Sequence, residues 1–365
     1  MSDHRDPSRR SVLGSLAAAG VSLLFSPSSS AGPALRTSSP GTGSAAGTKA
    51  YINFVINVQN FRYLSSSVDT VGKLCSTFAK YGVKGDFYLT GPMAQLYNKS
   101  NPEIFTKLKG QGICYHSRPP HAIFTGFEGK LEGLSGDQLT SRINDFETQY
   151  LDLETGQLDS SKSGGFALVT SLLGKAPSCV AVPTSNDTIK AAACQWYKDN
   201  GAKAVVWYHK AQDLGSNPYQ TKNGLLSRPS DIVVEQWKAS GESGSTLWWN
   251  RYSSGYPGAD GKPHNYIEQK VGTWQGKRAP FVTVLIHDNN FTRKGPDPWL
   301  NTFWKDKEKT NPRSAPFDLE ATDPSSRRSD EEQSRILQAY GNMVEFCAQN
   351  YNVVTMADIC TMAGV

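Results

Sequence analysis

Tyr51-Ile52-Asn53-Phe54-Val55-Ile56-Asn57-Val58 is an apolar run broken only by asparagines, and it stops at Gln59-Asn60-Phe61. Eight residues rich in β-branched and aromatic side chains read as a buried strand rather than a helix, which would need more length. The residues that close the run decide the chemistry. Asn57, Gln59 and Asn60 are all amides. An amide accepts a hydrogen bond, but it takes no proton at neutral pH and ligates a hard cation poorly.

Working outward, strands alternate with helices. Val68, Val71, Leu74, Cys75 and Phe78 recur at helical spacing up to Tyr81-Gly82. Gly85–Thr90 and Ile113–Tyr115 read as strands, and Asn101-Pro102-Glu103 opens a short helix between them. Ser185-Asn186-Asp187 starts a helix that feeds Ala204–Tyr208. Phe281–Ile286 is a buried strand ending at His287-Asp288, Ser329 with Glu332 makes a capping box, and a last strand and helix come after Val353. This order predicts a parallel α/β barrel with reactive groups at the carboxyl ends of strands. Residues 122–178 and 209–280 interrupt the rhythm and read as long loop insertions; the second carries Trp237, Trp248, Trp249 and Trp274.

The 365 residues divide before residue 49. Ser8-Arg9-Arg10-Ser11 precedes a short apolar stretch, Leu16–Phe25, and small residues near Ala31. That pattern reads as an export signal over residues 1–31, with paired arginines pointing to the twin-arginine route and a periplasmic or extracellular destination. The stretch is too short and too rich in Gly, Ala and Ser for a membrane span. Residues 32–48 read as a disordered linker, and the barrel occupies 49–365. A net charge of +5, from 38 basic and 33 acidic residues, gives no reason to expect a nucleic-acid partner. None of the six cysteines forms a C-x-x-C pair, which argues against a zinc–thiolate site. Cys179–Cys194 and Cys347–Cys360 are the simplest disulfides in an oxidising compartment; buried free thiols are the alternative.

Lys80-Tyr81-Gly82-Val83-Lys84-Gly85-Asp86-Phe87-Tyr88-Leu89-Thr90-Gly91, Tyr115-His116-Ser117 and Val284-Leu285-Ile286-His287-Asp288 together resemble the polysaccharide deacetylases. The resemblance covers about residues 51–121, 180–210 and 281–362. It implies a distorted (β/α) barrel with an Asp-His-His metal site, an aspartate base and a late histidine acid. Departures accompany it. Asn57 and Asn60 stand where the family has acids, His116 and His121 are one residue further apart than its pattern, and Val180-Ala181-Val182-Pro183 lacks its arginine.

Hydrolysis of an acetamide needs an activated water, a stabilised oxyanion and an acid for the leaving amine. His116, His121 and Asp86 are the expected ligands of a divalent metal, zinc by ligand type. His287 is the expected acid, Asp86 or Asp288 the base with Glu128 as a further option, and Asn57, Asn60, Asn290 and Trp299 line the substrate site. Paired prolines in His116-Ser117-Arg118-Pro119-Pro120-His121 predict an extended segment that still lets both rings converge. The leading expectation is an exported metal-dependent deacetylase-like hydrolase with a rearranged site, acting on a glycan or a small acylated substrate. Two alternatives stand beside it: a glycan-binding pseudoenzyme on the same barrel, and a glycoside hydrolase, which would need two carboxylates about 5–9 Å apart.

Overall fold

A computed structural model describes residues 49–206, 217–235 and 264–365. The expected export signal and linker, and the aromatic positions Trp237, Trp248 and Trp249, lie outside the described residues. Among the described residues, eight parallel strands form the body of the main sheet: β1 (Tyr51–Val58), β2 (Asp86–Leu89), β3 (Gly112–His116), β4 (Cys179–Ala181), β5 (Ala204–Val206), β6 (Leu225–Ser227), β7 (Ile232–Glu235) and β8 (Phe281–His287). Their spatial order is β7-β8-β1-β2-β3-β4-β5-β6, which is the chain order rotated, with the last strand beside the first. An order that never reverses belongs to a sheet rolled one way around a core, a distorted (β/α) barrel. Short segments Gln220–Lys222 and Asn352–Val353 add to its margins.

Among the described residues, no ladder joins β6 and β7. The chain itself crosses this seam. Arg228-Pro229-Ser230-Asp231 joins two strands that run in the same direction, so β6 and β7 are halves of one kinked path. Arg228 N donates to Val205 O on one side (3.2 Å), and Asp231 N donates to Phe281 O on the other (2.9 Å). Pro229, with no N–H to give, fits where the ladder lapses. The Asp231 carboxylate accepts both Arg278 Nη atoms at 2.7 and 2.9 Å and Phe281 N at 2.8 Å, fastening the path to the start of β8.

Period-two alternation sorts side chains by layer. Ile52, Phe54, Ile56 and Val58 face the surrounding helices, while Val55, Tyr88, Cys114, Cys179 and Leu285 fill the barrel. Asn57, His116 and His287 fall on the interior parity of β1, β3 and β8. Helices at Leu64–Lys80, Asp187–Asp199 and Asp330–Asn350 cover the outside, the last two beginning at Asn186 and at the Ser329/Glu332 capping box as the sequence predicts. Met356–Met362 closes the amino end of the barrel with Met356, Ile359 and Cys360. The 122–178 insertion is not simple loop: it contains helices Gly136–Thr148 and Gly165–Leu173 and a hairpin between them. Leu139, Ile143 and Phe146 form the buried stripe that holds the first helix down.

The expected disulfides do not occur. All six cysteines are free and buried. Cys179 and Cys360 lie inside the barrel, whereas Cys194 and Cys347 lie in the outer layer, so the sheet wall separates each expected pair. Among the described residues no helix is long and apolar enough to cross a membrane.

Candidate functional site

β1 and β8 are in register at Asn57 and His287, and β1 meets β2 at Asn57 and Tyr88. His116 is the last residue of β3. The parallel sheet therefore brings Asn57, His116 and His287 to the carboxyl end of the barrel from three strands, as expected. All three are nearly inaccessible to solvent. Burial, then the guanidinium of Arg118, holds both imidazoles neutral: His116 is pushed well below the usual histidine range, with His287 adding to the effect, and His287 falls to about 3.

Asp297 and Lys309, which the sequence reading passed over, complete the charges here. Asp297 Oδ1 lies 4.0 Å from His287 Nδ1, and Asp297 Oδ2 accepts from Lys309 Nζ at 2.5 Å. Burial alone would raise the Asp297 carboxyl, but Lys309, His287 and Arg118 outweigh it and hold it below the ordinary value. Nothing local in the sequence marked these residues, because the loop after β8 folds back to bring them in.

The amides that end β1 occupy the same mouth. Neither polar atom of the Gln59 or Asn60 side chain has a hydrogen-bond partner, although both residues are buried, and His116 Nδ1 is likewise without one. Buried polar groups are rarely left so; the pattern marks a place where a ligand or water completes the bonding. Above lies an aromatic cap. Phe61 after β1, Phe124 and Phe127 beyond β3, and Trp299, Phe303, Trp304 and Phe317 after β8 pack together. Trp299 and Phe61 centroids are 5.9 Å apart. Arg62 Nη1 donates to Pro298 O at 3.3 Å, and Tyr63 Oη donates to Asp323 at 2.6 Å, so the cap is fastened to the segment that leaves β1. A cavity of about 20 Å³ remains beneath it, lined among others by Gln59, Thr90, Arg118 and Trp299. That is room for about one water.

Several expected site residues lie elsewhere or are otherwise engaged. Asp86 is the first residue of β2, at the opposite end of the barrel from His116 and His287. Its carboxylate accepts from Asn53 Nδ2 at 2.7 Å and Met356 N at 2.8 Å. Burial raises its pKa to about 6 against the pull of Asn53 and Arg228. Gly112 is required beside it, since a Cβ there would stand 2.1 Å from Asp86 Oδ1. His121 does not join His116. The Arg118–His121 segment turns, with His121 N donating to Arg118 O at 2.9 Å, rather than running extended. The ring then lies with Nδ1 accepting from Ile123 N at 3.1 Å and Nε2 3.2 Å from Glu147 Oε1. Glu147 is wholly buried and also takes Tyr197 Oη and Phe166 N.

Asp288 is a scaffold carboxylate. It accepts from Ser67 Oγ, from Gln59 N at 3.1 Å, from Asn60 N at 3.3 Å and from Asn289 N at 3.0 Å. Burial raises it to about 6 despite those donors. Asn290 Oδ1 is engaged by His287 N at 3.0 Å, capping the short turn after β8. Glu128 holds Thr184 Oγ1 and Gly126 N at 2.7 and 2.6 Å.

The residues present do not fit a divalent metal. His121 is committed to Ile123 and Glu147, Asp86 is at the far end, and among the described residues no three His, Cys, Asp or Glu side chains converge on one point.

In its one-way parallel barrel the chain resembles the polysaccharide deacetylases. No family model and no curated protein matches it. Similar solved structures include a putative polysaccharide deacetylase from Mycobacterium smegmatis at 12% identity and a TM-score of 0.45, covering 88% of this chain and 92% of that one. The peptidoglycan deacetylase PdaC from Bacillus subtilis is 12% identical with a TM-score of 0.37, over 87% and 94%. BA3943, a CE4 family pseudoenzyme from Bacillus anthracis, is 13% identical with a TM-score of 0.33, over 66% and 55%.

The neutral histidines give a test by pH. A group whose folded pKa is depressed contributes stability that is lost as pH falls from its unfolded value toward its folded one. For His287 that window runs from 6.5 down to about 3. Asp86 and Asp288, raised to about 6, act in the opposite sense and gain stability as pH falls from 6 toward 3.8. The total curve is thus flattened, and a variant isolates the histidine. Between pH 7 and pH 4 the unfolding free energy of His287→Gln should gain about 3 kcal/mol relative to the native chain. Denaturant unfolding at the two pH values measures it, and a difference independent of pH would contradict the buried neutral ring.

Proposed function

We propose that the chain is a deacetylase-like barrel that binds an acylated, uncharged glycan or a small molecule with the same groups, without metal-dependent hydrolysis. The observation that carries this reading is the content of the mouth: unpartnered Gln59 and Asn60 amides and neutral His116, in place of a metal-ligand set. Amides and a neutral imidazole offer donors and acceptors together, which suits hydroxyl and acetamide groups. The cap supplies aromatic faces for sugar rings. A sugar exceeds the present cavity, so binding in this reading parts the cap at Trp299.

A second reading, a hydrolase that works without metal, draws on the nearness of Asp297 to His287, with the neutral imidazole acting as a base and the carboxylate orienting it. The glycoside-hydrolase alternative is less favoured: Asp288 is saturated by four donors and Asp297 is bound to Lys309. Export belongs to the proposal as well, on the strength of Ser8–Ser11 and Leu16–Phe25 alone.

Titration with N-acetylated sugar oligomers, followed by calorimetry and tryptophan fluorescence, tests the proposal. Saturable binding should weaken about tenfold in Gln59→Ala and in Asn60→Ala, each losing about one net hydrogen bond to a neutral partner. Absence of saturable binding by the folded native chain to any neutral acylated oligomer would overturn it.

A further inference from the structure

Cys114 on β3 and Cys179 on β4 are strand partners in register. Both belong to the interior of the barrel and are fully buried. Neighbouring strands stand about 4.7–4.9 Å apart, inside the Cα separation of about 4.4–6.8 Å that a disulfide spans. Matching parity aims both side chains at the same interior space, where the Cys179 thiol helps raise the Cys114 thiol above its ordinary value, after burial itself. The other four cysteines lie on helices; three of them, Cys75, Cys194 and Cys347, lie beyond the sheet wall from this pair, and Cys360 is in the helix that closes the amino end of the barrel.

We propose that Cys114 and Cys179 are a disulfide site, closed when the chain folds in an oxidising medium. The step is thiol–disulfide exchange with a small disulfide such as oxidised glutathione. One cysteine thiolate attacks it, releasing one glutathione thiol and leaving a mixed disulfide. The second cysteine then attacks the protein sulfur of that mixed disulfide, forming the Cys114–Cys179 bond and releasing a second glutathione thiol; the two cysteine protons go to solvent and the released thiols. Two protein thiols are oxidised and one glutathione disulfide is reduced. Because both sulfurs are sealed in the folded barrel, exchange occurs during folding, before the interior closes. The bond would tie together the strands on either side of the segment that carries His116, Arg118 and His121, and would limit the unfolded chain across that long loop.

The chain is refolded from denaturant in a glutathione redox buffer, then alkylated under denaturing conditions and mapped by mass spectrometry. The expected result is four alkylated cysteines, a linked peptide pair containing Cys114 and Cys179, and a thermal midpoint several degrees above that of the reduced protein. Cys114→Ala should leave five alkylated cysteines and remove the rise. Production in an oxidising expression compartment gives the same count without refolding. Six alkylated cysteines in the natively folded product of either route, or a bond joining any other pair, would overturn the proposal.

Discussion

Asp288→Ala should lower the unfolding free energy by about 2–4 kcal/mol and weaken any ligand at the barrel mouth along with it. The carboxylate is buried and collects four donors: the Ser67 hydroxyl and the backbone N–H groups of Gln59, Asn60 and Asn289. Truncation leaves buried donors without an acceptor, each costing about 1–3 kcal/mol. Relief of the burial that raises this group to about 6 offsets part of the loss, which is why the total stays below the simple sum. Asp288→Asn keeps one acceptor oxygen in place and should lose less. Urea unfolding of both variants measures the effect. Equal losses for the two, or none, would contradict the role assigned to Asp288 in fixing the Gln59-Asn60 backbone.

Asp231→Ala should have a comparable or larger effect, about 3–5 kcal/mol, by unfastening the barrel at its unpaired seam. The side chain is fully buried against Arg278 in a two-point ion pair, and it also holds Phe281 N at the start of β8. Removing one partner of such a pair leaves a partly buried guanidinium without its carboxylate, although Ala279 O still accepts from it. Arg278→Met alone leaves Asp231 with the Phe281 amide, and the double variant Asp231→Ala/Arg278→Met should recover part of the loss. Denaturant midpoints for the three variants test this. A loss under about 1 kcal/mol in Asp231→Ala would show that the Arg228–Asp231 path does not depend on this fastening.

The strands that form the heart of the barrel were legible because they are continuous apolar runs buried on both faces. Tyr51–Val58 matches β1 in both bounds, and Phe281–Ile286 is one residue short of β8. Asn57, His116 and His287 were legible for a related reason: each closes or nearly closes its strand, and period two carries all three inward. Asp86 differs because it lies on a strand where the sequence predicts one, but at the start of that strand and not at its end. It opens a four-residue strand, so its carboxylate meets the helix at Met356 rather than the mouth. His121 misled because its partner, Glu147, comes from a helix in the insertion, and the turn through Pro119-Pro120 swings the ring toward it. Gln59 was in plain view as the middle amide of the string that ends β1. Its role emerges only with the cap, which makes both of its polar atoms buried and unpartnered. The seam at Arg228–Asp231 was not legible either, since two three- and four-residue strands separated by a proline carry little periodic signal.

As proposed, the mouth binds a neutral acylated glycan with its own amides and imidazole, and not through a metal. One measurement addresses it directly: titration of the metal-stripped chain with N-acetylated sugar oligomers, with and without saturating zinc, while released acetate is assayed in the same samples. The expected result is equal affinity in chelator and in zinc, no stoichiometric zinc, and no acetate release. One zinc bound per chain, with acetate release that disappears in His116→Ala, would contradict it.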